Sequence, residues 1–224
     1  MSINSNAKNL ESYYLKSCKG GDLEKCSLLG GLYLYGHNKD VKKNTKKAFK
    51  FKKKSCDGGN LDGCSSLARM YEYGMGIKKN GNNAVKLYKK SCKKGDKDSC
   101  ERLGDIYSRG GVVKINGVQA VKYYSMTCTK KEKSGCASLG ALYAFGEVVK
   151  KDDSKAVKYY TKACNSKTAT AGLSCYQLAY MYISGKGVRK SMSKAKNIFA
   201  KACKKGYKDG CENYSLVKEL QKYQ

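Results

Sequence analysis

One eleven-residue pattern, C-x-x-L-[AG]-x-x-Y-x-x-G, is written five times in this chain, beginning at Cys26, Cys64, Cys100, Cys136 and Cys175. Its leucines are Leu29, Leu67, Leu103, Leu139 and Leu178, and its small residues are Gly30, Ala68, Gly104, Gly140 and Ala179. Its tyrosines are Tyr33, Tyr71, Tyr107, Tyr143 and Tyr182. Cysteine, leucine, small residue and tyrosine share one face of an α-helix. The closing glycines (Gly36, Gly74, Gly110, Gly146 and Gly185) mark its end, because glycine takes the left-handed conformation there at no steric cost. A second element follows each time, an alanine with a cysteine eight positions on: Ala48–Cys56, Ala84–Cys92, Ala120–Cys128, Ala156–Cys164 and Ala195–Cys203. Cys56, Cys92, Cys128 and Cys164 recur every 36 residues. Self-similarity at this period means stacked helix pairs, each burying its apolar face on its neighbours. The expected fold is all-α: a right-handed α/α solenoid superhelix of five helix pairs with terminal capping helices and one disulfide per repeat.

The repeats override the prior of one or two globular domains that 224 residues would suggest. The expected array is single, 1–224. It has an N-terminal helix over 5–20, repeats over 22–56, 60–92, 97–128, 134–164 and 172–203, and a capping helix over 207–220. Repeat four shows the grammar most plainly. A first helix over Gly135–Phe145 stops at Gly146, and Glu147–Lys151 connect. Asp152, Asp153 or Ser154 then caps a second helix ending near Cys164. In the last segment Tyr214, Ser215 and Lys218 replace the leucine, small residue and tyrosine, the polar drift a terminal cap needs. Residues 1–4 are expected to be a loose end.

Twelve cysteines fall in six pairs: Cys18/Cys26, Cys56/Cys64, Cys92/Cys100, Cys128/Cys136, Cys164/Cys175 and Cys203/Cys211. C-x-x-C is absent and His37 is the single histidine, so no metal site is expected. An even count at two per repeat reads as a disulfide ladder. A bridge from a first helix to its own second helix, such as Cys136 to Cys164, would leave Cys18 and Cys211 without partners. A bridge from a second helix to the next first helix uses all twelve, and is expected. Such a ladder implies an oxidising compartment, periplasmic or extracellular. The start MSINSNAKNLESYYL has no export-signal character, so a removed leader, with Met1 an expression start, is expected.

The net charge is +28, and only four of the 46 basic residues are arginine: Arg69, Arg102, Arg109 and Arg189. Lysines such as Lys50, Lys52, Lys53 and Lys54 concentrate on the second helices, where the plain expectation is a solvated face. The sharper one is an electrostatic footprint for nucleic acid, anionic lipid or an anionic cell-wall polymer. Scarce arginine and the absence of a nucleic-acid motif disfavour nucleic acid. No stretch approaches the ~20 apolar residues that span a bilayer.

The pattern C-x-x-L-G-x-x-Y-x-x-G followed by K-A-x-x-Y-Y-x-K-A-C resembles the Sel1-like repeat, a relative of the tetratricopeptide repeat. With paired cysteines in every repeat, the chain from Leu10 to Leu220 closely resembles the Helicobacter cysteine-rich protein family. That resemblance implies a secreted or periplasmic protein. Family members include penicillin-binding proteins, weak β-lactamases and partner-binding scaffolds. The residues themselves carry no such chemistry. S-x-x-K occurs at Ser5, Ser91, Ser191, Ser193 and Ser215, but no S-D-N or K-T-G accompanies it. Catalytic residues remain unassigned, no cofactor is expected, and hydrolysis of a β-lactam rests on resemblance alone.

Positions 2, 5 and 9 after each first-helix cysteine lie opposite the fixed stripe and vary between repeats. They hold three of the four arginines and four aromatics. Tyr35, Arg69, Tyr73, Arg102, Arg109, Phe145 and Tyr180 are therefore the candidate partner-binding residues, aromatic and arginine side chains being common interface anchors. In stacked helix pairs the first helices line the concave side, so a protein or peptide ligand is expected there, with the protein itself a monomer. Reversing Arg69, Arg102 and Arg109 together is expected to abolish binding without unfolding.

Overall fold

A computed structural model describes residues 5–37, 41–129 and 133–220, with side chains from residue 10 onward. The loose end expected over 1–4 lies outside the described residues. Among those described are twelve helices and no strand. They run α1 Ser5–Lys19, α2 Leu23–Tyr35, α3 Thr45–Asp57, α4 Leu61–Tyr73, α5 Gly81–Lys93 and α6 Lys97–Arg109, then α7 Gly117–Met126, α8 Ser134–Phe145, α9 Asp153–Cys164, α10 Ala171–Ser184, α11 Met192–Lys204 and α12 Lys208–Leu220. They pack as sequential pairs in two compact units, Met1–Lys114 with α1–α6 and Ile115–Gln224 with α7–α12.

Local chemistry sets the helix starts. A side-chain oxygen of Asn44, Asn80, Asn116, Asp152 or Ser191 accepts the backbone N–H three residues on, capping α3, α5, α7, α9 and α11. Asp22, Asn60 and Asp96 do the same for α2, α4 and α6. Gly74, Gly146 and Gly185 end α4, α8 and α10 in the left-handed region. α7 stops at Met126, short of the expected Cys128. There Thr127 N–H bonds Tyr124 O and Cys128 N–H bonds Ser125 O, three-residue closures that tighten the last turn.

The cysteines, leucines and small residues of the fixed stripe are core, while of its tyrosines Tyr33 is buried and Tyr71, Tyr107, Tyr143 and Tyr182 are half-buried. All five leucines and all five second-element alanines are buried. Small residue and second helix meet at close range: a Cβ on Gly140 would lie 2.6 Å from Tyr160 Cδ1. The ring-bearing position four residues after the alanine holds Tyr88, Tyr124, Tyr160 and Phe199, all buried. In repeat one that position is Lys52, and here the structure corrects the expectation of a solvated lysine. Lys52 is buried, with its stem against Gly30, where a Cβ would lie 2.8 Å from Lys52 Cγ. The aliphatic stem fills the ring's place, and the ammonium reaches polar partners beyond it.

Six disulfides join α1 to α2, α3 to α4, α5 to α6, the segment after α7 to α8, α9 to α10, and α11 to α12. The bonded pairs are Cys18–Cys26, Cys56–Cys64, Cys92–Cys100, Cys128–Cys136, Cys164–Cys175 and Cys203–Cys211, with Cα separations from 4.3 to 4.8 Å. No cysteine is free. Four of the bridges fasten one helix pair to the next, and the first and last fasten the terminal helices α1 and α12. Closing so short a loop contributes about 2–3 kcal/mol in the chain-entropy model.

Candidate binding clefts on the first helices

In the first unit, α4 and α6 present their variable positions to the same cleft, which encloses about 320 Å³. Arg69, Tyr73 and Arg102, three of the seven residues singled out from sequence, line it together with Ser65, Ser66 and Tyr88. Asp62, Asp98 and Ser99 complete the wall.

The two arginines have different tasks. Arg102 is held from below by Glu72, a buried carboxylate on α4. Arg102 Nε donates to Glu72 Oε2 at 3.0 Å, Nη2 donates to Oε1, and Tyr88 Oη donates to Oε2 at 2.9 Å. The guanidinium also lies over the Tyr73 ring, 5.4 Å from its centroid, and touches the Tyr73 hydroxyl. Its hydrogen bond to Glu72 holds its pKa above the ordinary arginine value. Burial, then the adjacent Glu72 charge, pushes the Tyr88 phenol up. Arg69, by contrast, is exposed and has no ion-pair partner among the described residues. Arg102 therefore fixes the wall and the Tyr73 ring, while Arg69 offers its fork to whatever enters. Of the three arginines expected to be reversible together, Arg69, Arg102 and Arg109, it is Arg102 whose reversal bears on the fold. A carboxylate at position 102 would face buried Glu72.

From Asp62 in the cleft wall a polar chain that the sequence pattern did not single out runs inward to buried Lys52 and Ser27. Lys52 Nζ donates to Ser27 Oγ at 2.7 Å and to Asp62 Oδ2 at 3.2 Å, and Ser27 Oγ donates to Asp62. Burial lowers the Lys52 pKa against the pull of Asp62. Burial raises the Asp62 carboxyl, but hydrogen bonds from Ser27 and Lys52 outweigh it and bring the pKa below the ordinary value. A serine beside a lysine is a nucleophile–base pairing in principle. Ser27, however, is 1 % exposed, so no substrate carbonyl reaches its oxygen. The signal for this chain was present: Lys52 stands where four other repeats carry a ring. Glu72 had no such signal, because the repeat pattern leaves its position unspecified.

The remaining candidates fall elsewhere. Tyr35, at the end of α2, is 69 % exposed, and Arg109, at the end of α6, is exposed without lining the cleft. In the second unit, Phe145 of α8 and Tyr180 of α10 line a cleft of about 420 Å³ with Gln177, Met181, Lys151 and Lys186 on its walls. Phe145 is 67 % exposed, and Tyr180 Oη donates to Asn213 Oδ1 at 3.1 Å. Tyr160 forms part of this cleft, and burial pushes its phenol up to about 12. His37 is exposed and bonded through its backbone to Val41.

Helix pairs fastened end to end by disulfides, with an invariant buried stripe and a variable exposed one, define a helical repeat scaffold of the α/α solenoid class. The chain belongs to the Sel1 repeat family: the family model matches residues 26–60, 61–96, 97–131, 133–167 and 172–207. It is similar in structure to c5321, a protective antigen of uropathogenic Escherichia coli. The TM-score is 0.79 at 25% identity, covering 91% of this chain but only 43% of that longer one. A Sel1 repeat protein from Oxalobacter formigenes gives a TM-score of 0.72 at 26% identity, covering 92% of this chain and 83% of that one. The Helicobacter pylori cysteine rich protein B is 34% identical, over 61% of this chain and 96% of that one, with a TM-score of 0.46. No curated protein matches this sequence. No described helix is long and apolar enough to cross a membrane. Six disulfides are consistent with an oxidising, extracytoplasmic compartment.

Proposed function

We propose that this protein is an exported, secreted or periplasmic binding module that takes a peptide or protein segment on its first helices. The observation that carries this reading is the state of Arg69. It is an exposed guanidinium without an acid partner, next to a Tyr73 ring that Arg102 and Glu72 hold in place. Arg69 supplies a charged fork, and Tyr73, already held against Arg102, an apolar platform with little ordering left to do. The Phe145–Tyr180 cleft of the second unit offers a more apolar anchor of the same kind. The enzymatic alternative, slow β-lactam hydrolysis, draws no support from the serine–lysine contact, because Ser27 is sealed.

A peptide array probed with the oxidised protein tests the reading. Sequences that bind wild type should lose about tenfold or more in affinity to the Arg69→Glu variant, an interface-anchor effect. Arg109→Glu, which removes an equal charge outside the cleft, should change affinity less than about threefold. Equal loss in both variants, or no binder in the array, would overturn it.

A further inference from the structure

Charge is sorted between the two helix types. In the first unit α3 and α5 carry ten lysines against one acid, Asp57, whereas α2, α4 and α6 carry five cations against six acids. The second unit repeats the asymmetry. α7, α9 and α11 carry eight lysines against one acid, Asp153, and α8, α10 and α12 carry two cations against three acids. A lysine-rich composition alone would load both helix types. This chain loads one.

The lysines also keep register. Lys50, Lys86, Lys122 and Lys158 occupy the same position of four successive second helices, and all are exposed. On α3 the exposed Lys46, Lys50, Lys53 and Lys54 lie opposite the buried Ala48, Ser55 and Cys56, so they share the outward face. Little of this charge is neutralised internally. Lys53 pairs with Asp57 at 2.6 Å, but Lys46, Lys50, Lys86, Lys90 and Lys93 have no carboxylate within ion-pair distance among the described residues. Like charges gathered on one face destabilise the folded chain unless an anion sits among them.

We propose that the second-helix face of the first unit binds a linear acidic polysaccharide. A bilayer fits it less well, because α3 and α5 expose no large apolar side chain that could insert. Single-stranded nucleic acid fits less well too. Three arginines (Arg69, Arg102 and Arg109) lie on first helices, the fourth, Arg189, follows α10, and no exposed aromatic ring stands on α3 or α5 for a base to stack on. A flexible chain of regularly spaced carboxylates or sulfates needs only point charges in a row, which lysine supplies. This face is separate from the Arg69 cleft and independent of the peptide reading.

The test is fluorescence anisotropy with a labelled heparin oligosaccharide, at about 0.15 M salt, on the oxidised protein. The face variant carries Lys50→Glu, Lys86→Glu, Lys90→Glu and Lys93→Glu. A control variant places the same substitutions at the connector positions Lys43, Lys78, Lys79 and Lys114, exposed in the same unit. Wild type should bind with an affinity that falls steeply as salt rises, as counterions are released. The face variant should lose about tenfold or more, and the control less than about threefold. Circular dichroism confirms that both are folded. Equal losses, or no wild-type binding, overturn the proposal. Tighter binding to a single-stranded oligonucleotide of equal charge, or binding only to phosphatidylglycerol vesicles, also overturns it, in favour of nucleic acid or membrane.

Discussion

Two arginines of one cleft illustrate how position decides what a charged side chain does. Arg102 is the counter-charge of a carboxylate that is itself nearly sealed from water, its side chain 7 % exposed. Removing one partner of such a pair leaves the other unpaired in low dielectric, which costs more than the pair itself contributes. Because Arg102 is about one-third exposed, the full buried-pair penalty does not apply. Arg102→Met should cost about 2–3 kcal/mol, whereas Arg69→Met should stay within about 0.5 kcal/mol. Urea unfolding of the oxidised variants measures both. Comparable losses would mean that Arg69 has a structural partner too, and would remove the basis for assigning it to a ligand. Lys52 follows the same logic in reverse. Its stem does the work of a ring and its ammonium has Ser27 and Asp62, so a lysine persists in a core position at the cost of a depressed pKa.

At the scale of the element, the close approach of first and second helix decides which residues are replaceable. Gly140 meets the Tyr160 ring so closely that an added methyl must displace it, and Gly31, on the open face of α2, meets nothing within 4 Å. Gly140→Ala should therefore destabilise by about 1–3 kcal/mol as overpacking. Gly31→Ala should stabilise by up to about 1 kcal/mol, through helix propensity alone. Thermal unfolding of the two variants should move in opposite directions, and a stabilised Gly140→Ala would contradict the packing described. The helices and their buried stripe were legible because offsets 0, 3, 4 and 7 recur with the same residue types. The bridged cysteines were legible because, of the two repeat-wise connectivities, only the one from a second helix to the next first helix uses them all. The start of α5, capped by Asn80, carries no plain helix-start signal in the sequence. The reason is physical. α5 opens with Gly81, a weak helix former, because a Cβ there would lie 2.3 Å from Val112 O in the next connector. Gly117, at the start of α7, meets Val148 O in the same way at 2.2 Å. Of the candidate site, Arg69, Tyr73 and Arg102 could be read as one stripe. Glu72, which divides their roles, could not, since its position carries no repeat constraint.

For the whole molecule, the governing quantity is a net charge of +28 carried by 224 residues. Lysines sorted onto the second helices repel one another in the folded state more than they would along an extended chain. Six short-range disulfides keep neighbouring helix pairs fastened against that repulsion. Salt shortens the range of the repulsion, from a Debye length of about 20–30 Å near 0.02 M to about 6 Å near 0.3 M. The unfolded chain, with its charges further apart, gains less from the same screening. The oxidised protein should thus gain several degrees in Tm, about 3–8 °C, between those two salt concentrations. The variant with Lys50, Lys86, Lys90 and Lys93 changed to glutamate lowers the net charge by eight and places acids among the remaining lysines. Its Tm should start higher at low salt and rise less. Sodium chloride and potassium chloride should act alike, because screening depends on ionic strength and not on the cation. A wild-type Tm that is flat or falls with salt would mean the lysines are solvated independently of one another. The sorted face would then cost the fold nothing, and an acidic polymer would have no strain to relieve.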